Sequence, residues 1–310
     1  MRGQFLKQNY VLSSDETRIH YTAYGEGPAL VCTNSVAMNP SFYRYVVEHF
    51  RGLCRVVTWD HRGHGLSYFP KSSALDVPTL AQDLRAVLDD LGIEQAVLIG
   101  HRIGVQVVLS FYHQFPKRVA ALVLVAGLAG HPLRSVLGSW PLPWVVDRLT
   151  TLGAAVPAIP EFLLDRISAN TRTYDVAARF LINGRYARRD DFDECFHHFR
   201  TLDAQLLIGM LRAADEHSAE DLLAEIQVPT LVLAGRSDRL VPFPRMQEMH
   251  ARIPGSELLA VRGATGAVLL EQPELVCLGL EKFLRERLEN GLASAWGARL
   301  AGNSKGRNIR

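Results

Sequence analysis

The residues best placed to do chemistry stand in Gly100-His101-Arg102-Ile103-Gly104. They lie between a short β-branched run, Ala96 to Ile99, and a helical pattern carried by Val105, Val108, Leu109 and Tyr112. The frame is G-x-S-x-G, a nucleophile elbow, in which two glycines permit a strained turn that lifts the central side chain above a sheet at a helix N-terminus. A serine, cysteine or aspartate at that centre attacks a carbonyl or a related carbon. Here the centre is Arg102, which stays protonated in a protein and cannot attack. A guanidinium binds a carboxylate or phosphate in a two-pronged fork, so the chemistry on offer is electrostatic rather than nucleophilic.

Positioning that side chain requires a strand before it and a helix and a second strand after it. The run from Ala96 to Gly127 reads as one such βαβ unit, its second strand at Ala120 to Val125. Upstream, Asn9 to Leu12 and Arg18 to Ala23 alternate around Ser13-Ser14-Asp15-Glu16 and predict an antiparallel hairpin at a sheet edge. Strands are expected at Ala29 to Cys32 and Arg55 to Trp59, with a helix carrying Phe42, Val46 and Phe50 between them. Leu80, Leu84, Val87, Leu88 and Leu91 mark one face of a helix ending at Gly92. From Leu128 to about Ile226 the strands stop: Phe162, Leu163, Ile167 and Phe180, then Leu206, Leu207, Met210 and Leu211, are spaced as helices, and Pro132, Pro141, Pro143, Pro157 and Pro160 interrupt the first third. Alternation resumes with a strand Thr230 to Ala234, a helix Arg245 to Arg252, a strand Glu257 to Val261 and a helix Pro273 to Leu288. Alternating strands and helices give an α/β fold with a mainly parallel twisted sheet flanked by helices, here with a helical cap inserted over its C-terminal edge. The divisions are 1–127 and 227–290 for the core, 128–226 for the cap and 291–310 for a flexible basic tail.

Composition is that of an ordinary globular chain: 310 residues, 48% hydrophobic and 21% charged. The net charge of +2 includes Arg299, Lys305, Arg307 and Arg310, and without these four the chain has 30 basic against 32 acidic residues. A nucleic-acid footprint on the body is therefore not expected. No run approaches the roughly 20 apolar residues needed to span a bilayer, and the start, MRGQFLKQNY, lacks a signal-peptide apolar stretch, so a cytoplasmic protein is expected. Cys32, Cys54, Cys195 and Cys277 form no C-x-x-C pair, which leaves reduced, buried thiols and no metal site.

The chain resembles the α/β-hydrolases, and more narrowly their cap-bearing, enol-lactonase-like branch, over about Asn9 to Leu288. Four stretches carry the resemblance: the elbow frame; Asp60-His61-Arg62-Gly63-His64-Gly65-Leu66-Ser67; Gly235-Arg236-Ser237-Asp238-Arg239-Leu240-Val241-Pro242, similar to the turn that supplies the triad acid; and Gly263-Ala264-Thr265-Gly266-Ala267 before Leu270-Glu271-Gln272-Pro273-Glu274. Asn34-Ser35 resembles the Asn-Ser of the enol-lactonases, and epoxide hydrolases and haloalkane dehalogenases carry Gly-His-Asp where this chain has Gly-His-Arg. The resemblance implies a serine at 102, a histidine at 266 and the acid Asp238, with the Val36 and Ile103 amides as an oxyanion hole and Asn34 and Ser35 lining the pocket. Only the acid is present, since Arg102 and Gly266 occupy the other two positions. Loss of nucleophile or base from a serine-hydrolase triad costs on the order of 10^6 in turnover, so ordinary ester hydrolysis is disfavoured.

The two departures are read as coupled. Without its histidine, Asp238 would be a desolvated carboxylate that needs a cation, and Arg102 can supply one by leaning into the space that glycine at 266 leaves open. The alternative keeps the guanidinium free to bind a ligand anion at the helix N-terminus. His61 and His64 are placed near the pocket rim with a packing role, His101 in the scaffold, and Ser237 and Thr265 in turns. His197-His198 face different directions on a helix and make no metal site. Three functions remain open: a degenerate hydrolase that binds a small, anionic ligand under the cap or a protein partner; a cofactor-free lyase, cyclase or isomerase using Arg102 as an anion clamp; and an ester or lactone hydrolase with a replacement base or inactivated by substitution.

Overall fold

The structure of the chain, a computed structural model, describes residues 5–72, 74–132 and 182–288. Eight strands form one sheet: β1 (Phe5–Leu12), β2 (Arg18–Tyr24), β3 (Ala29–Thr33), β4 (Arg55–Trp59), β5 (Ala96–His101), β6 (Val119–Val125), β7 (Thr230–Gly235) and β8 (Glu257–Val261), in spatial order β1-β2-β4-β3-β5-β6-β7-β8. The hairpin β1/β2 and the β2/β4 pair run antiparallel, and every other pairing is parallel. Strand β1 starts at Phe5, earlier than the alternation from Asn9 indicated, because its pairing with β2 continues past a register shift between Phe5 and Lys7.

Burial follows the two-residue period of the strands. Val31, Val57, Leu98, Leu122 and Val232 pack on one face with α2 (Val77–Asp90) and α3 (Ile103–Gln114). Their neighbours Leu30, Val56, Val97, Val123 and Leu233 pack on the other with α1 (Arg44–Phe50) and, towards the C-terminus, the last long helix. Both faces are covered, so the parallel strands read as unbroken apolar runs. A 3-10 turn at Pro40–Tyr43 precedes α1 and carries Phe42, which the sequence reading placed on one continuous helix.

Between β6 and β7, the described residues hold α4 (Arg189–Arg200), α5 (Ala204–Glu216) and a 3-10 turn at Leu223–Glu225. The proline-rich third of the expected cap, with Pro141, Pro143, Pro157, Pro160, Phe162, Leu163, Ile167 and Phe180, and the tail 291–310 lie outside the described residues. Asp203 caps α5 by accepting from the Leu206 amide at 2.8 Å. Arg44 pairs with Asp191 at 2.8 Å and with Glu194, and Tyr45 donates to Asp191 at 2.7 Å, fixing α4 to the start of α1. Three helices complete the core: α6 (Phe243–Arg252), the single turn α7 (Val268–Glu271) and α8 (Pro273–Arg287). Among the described residues no helix is long and apolar enough to cross a membrane. The four cysteines are buried and form no disulfide.

Candidate active site

The elbow turns as its glycines require. A Cβ on Gly100 would sit 2.4 Å from the Gly104 carbonyl oxygen, and one on Gly104 would sit 2.3 Å from that of Thr33, so neither position admits a side chain. Arg102, between β5 and α3, has φ 56° and ψ −116°, a conformation that costs a non-glycine residue roughly 1–3 kcal/mol. Its amide donates to the Val125 carbonyl at 3.0 Å and its own carbonyl accepts from Val105 at 3.0 Å. The strained backbone aims the side chain off the C-terminal edge of the sheet.

There the guanidinium meets Asp238. Nη2 donates to Oδ1 at 3.2 Å and Nη1 lies 3.0 Å from Oδ2 as an ion contact without a hydrogen bond, with the Arg102 side chain 15% exposed and that of Asp238 3% exposed. Asp238 sits in the turn after β7, where Oδ1 also accepts from the amides of Leu240 at 2.9 Å and Val241 at 3.1 Å. Gly266 completes the arrangement. A Cβ built on it would fall 1.6 Å from Arg102 Nη2 and 2.2 Å from Cζ, so the guanidinium fills the volume that any side chain at 266 would claim. Of the two readings of Arg102, the internal pair is the arrangement present.

The surroundings hold this pair from behind. His101 is buried, stacks on Phe42 with ring centroids 4.5 Å apart, and donates from Nε2 to the Gly266 carbonyl at 2.8 Å. Burial, with the Arg102 charge adding to it, pushes His101 down to about 3, so the ring is neutral. Glu271 fixes the other side of the Gly266 loop by accepting from the Thr265 amide at 2.6 Å and the Thr265 hydroxyl at 2.8 Å, while it also takes the Asn183 amide at 2.6 Å. Burial raises its carboxyl above the usual range. Asn183 donates in turn to the Gly263 carbonyl at 2.7 Å. Glu271 was visible in sequence only as part of a motif, because its partners are set by chain folding rather than spacing.

Val36, Ile103, Asn34 and Ser35 are all buried at the same edge. Ile103 is the first residue of α3, where helix amides have no intrahelical acceptor, as an oxyanion site requires. The His61 and His64 rings, expected near the rim, are almost fully enclosed. His61 Nε2 donates to the Asn34 carbonyl at 2.8 Å; His64 donates from Nδ1 to Arg62 O at 3.1 Å and accepts from the Ala37 amide at Nε2, also at 3.1 Å. Burial drives His64 down to about 3 and lowers His61. Buried polar atoms in and around this site that make no hydrogen bond are Asn34 Oδ1, Asp60 Oδ1, His61 Nδ1, His101 Nδ1, Arg102 Nη1, Asp238 Oδ2 and, on α4, His198 Nε2. Each unmade bond costs about 1–3 kcal/mol. His197, next to His198, is exposed, and no group of metal-ligating residues occurs among the described residues.

Sheet order, a strained strand-to-helix turn and an acid after β7 define a class of proteins. A profile of the alpha/beta hydrolase fold family matches residues 28–273, and the chain belongs to that family. It is 30% identical over 261 residues to the 2-hydroxy-6-oxononadienedioate/2-hydroxy-6-oxononatrienedioate hydrolase of Paraburkholderia phymatum, with 80% of this chain and 84% of the relative covered. Among solved structures it is similar to a thermophilic esterase from Thermogutta terrifontis, with a TM-score of 0.73 at 21% identity over 90% of this chain and 98% of the other. It is also similar to the enol-lactonase of Burkholderia xenovorans, with a TM-score of 0.72 at 21% identity over 89% and 99%.

Proposed function

We propose that this protein is a non-hydrolytic member of its family, a pseudoenzyme that binds a small molecule between the sheet edge and a cap formed by residues 128–226. The observation that carries the reading is the guanidinium of Arg102 standing in the volume of a side chain at 266 while it pairs with Asp238. The catalytic acid is thereby spent on an internal cation, and neither a nucleophile nor a base stands at its family position. An anion clamp is the weaker reading, because the carboxylate of Asp238 cancels the charge such a clamp would use. What the site keeps is a pocket edge of buried polar groups from Asn34, Ser35, Val36 and Ile103.

The test is hydrolysis and its restoration. The protein is expected to turn over nitrophenyl esters only at background rate and to resist a fluorophosphonate label. Turnover of ordinary esterase size, stopped by the phosphonate, would overturn the reading and favour a working hydrolase. Arg102→Ser with Gly266→His rebuilds nucleophile and base beside Asp238, and esterase activity is expected only in that double variant, since triad members act as a unit. A folded double variant that binds a phosphonate but hydrolyses nothing would point to a pocket reshaped for other chemistry.

A further inference from the structure

The two edges of the sheet differ in how they are guarded. Strand β8 is five residues long, starts at Glu257, which Arg287 meets at 2.5 Å, and is followed by Arg262. A short edge strand bracketed by charge discourages pairing with another chain. Strand β1 is eight residues long and closes the opposite edge, with no strand among the described residues on its outer side. Its only charge is Lys7, already paired with Asp90 at 2.9 Å, and residues 8–12 include neither proline nor glycine. The one register shift falls between Phe5 and Lys7, so the main chain of residues 8–12 presents an unguarded edge.

The same corner gathers exposed apolar side chains. Of the eight large apolar side chains exposed among the described residues, five stand here: Tyr10 and Leu12 on β1, and Leu66, Tyr68 and Phe69 in the loop after β4. The Tyr10 and Tyr68 ring centroids are 5.8 Å apart, edge to face, Leu12 is opposite Arg18 in the hairpin, and the Arg18 guanidinium lies 5.4 Å over the Tyr68 ring. Five such side chains near half exposure show on the order of 400 Å² of apolar surface, a size at which a patch on a monomer commonly serves binding. The charges around it are engaged internally, Lys7 with Asp90, Lys71 with Glu16 at 2.9 Å and Asp15 with Arg62 at 2.9 Å, which leaves no basic cluster among the described residues here to draw an anionic lipid surface. Tyrosine, phenylalanine and arginine, with the nearby lysine and glutamate already paired, make the composition of a protein interface instead. An open strand edge adds main-chain groups that another strand can satisfy.

We propose that β1 and the 66–69 loop dock a second copy of this chain, the two β1 strands pairing antiparallel about a two-fold axis so that the two sheets continue as one. Such an axis brings like charges of the strands together only if it passes through Lys7, and each copy offers the other the same apolar patch. The patch together with the strand edge, Gln8, Asn9 and Arg18 approaches the roughly 800 Å² per partner that a stable interface buries. The test is sedimentation of the full chain from about 1 to about 100 µM, with hydrogen exchange read at β1. A mass of twice 34.5 kDa is expected at the upper end, and the β1 amides turned away from β2 should slow as the dimer forms. Tyr68→Ser with Phe69→Ser, two exposed positions outside the core, should weaken association by about tenfold or more and return fast exchange to those amides, while the far-ultraviolet spectrum stays that of the parent. A single-chain mass across the whole range, a dimer that the double change leaves intact, or outward β1 amides equally fast in dilute and concentrated samples would each overturn the proposal. So would binding to phosphatidylcholine vesicles by a chain that stays monomeric, which would assign the patch to lipid.

Discussion

Two arginines of this protein are each locked to aspartate, and they are built to opposite specifications. Arg62, in the loop after β4, is fully buried and reaches four acceptor groups: both oxygens of Asp83 at 2.6 and 2.8 Å, Asp15 at 2.9 Å, the Ala74 carbonyl at 3.0 Å and the Ser13 hydroxyl at 3.4 Å. Arg102 pairs with a single carboxylate through one hydrogen bond and one ion contact, and keeps part of its side chain open to solvent. The first is a knot that ties the β1/β2 hairpin, the β4 loop and α2 together, with its charge neutralised on every side. The second occupies a place where the fold otherwise puts chemistry, and its partner would remain hydrogen-bonded to two amides without it. A buried ion pair is thus structural when its acceptors come from several elements, and replaceable when one acceptor has its own backbone support.

The sharpest way to break the comparison is Arg62→Met. It leaves Asp83 buried without a cation and should cost about 3–5 kcal/mol in chemical denaturation. Arg102→Ser should cost less, about 2–3 kcal/mol, since water and the Leu240 and Val241 amides still serve Asp238. Equal losses would dissolve the distinction.

Each arginine has a buried neutral histidine beside it, and acid should act on both. His64 bonds to the Arg62 carbonyl and His101 adjoins Arg102, both held at about 3 against 6.5 in the unfolded chain. The unfolded state therefore binds more protons between pH 6.5 and pH 3, and stability falls as pH drops through that window. From pH 7 to pH 5 each ring should account for about 2 kcal/mol of lost stability. His101→Phe should flatten the measured slope by that share, and an unchanged slope would mean the ring is charged in the native state.

Gly266→Ala gives the smallest but most specific effect. The added carbon displaces the guanidinium, so in the parent it should destabilise, whereas in an Arg102→Ser background it should be nearly neutral. The double-mutant cycle should show a coupling of about 1 kcal/mol, and additivity would place the guanidinium elsewhere.

Much of this is legible in the sequence. The strand periods located the sheet, and Arg102 and Gly266 together indicated the pairing with Asp238, because a missing side chain and an overlong one stood at positions the fold brings into contact. The Arg62 knot was not legible, since its partners lie 21 and 47 residues away. One signal existed: Asp83 falls in the apolar stripe of Leu80, Leu84 and Val87, where an acid needs a buried cation. The packing role read for His61 and His64 holds, and the covering element that a glycine-rich loop does not reveal is α5, with Leu206 2.2 Å from a Cβ placed on Gly63.

The Glu271 clamp bears on how the insertion is held. By holding Asn183 to the Gly263–Thr265 loop while Arg44 grips α4, the protein bolts the returning limb of the insertion to the core at two points about ten residues apart. An opening motion that keeps these bonds cannot lift α4 away from α1. Residues 183–200 therefore behave as a fixed wall of the core rather than as a moving part.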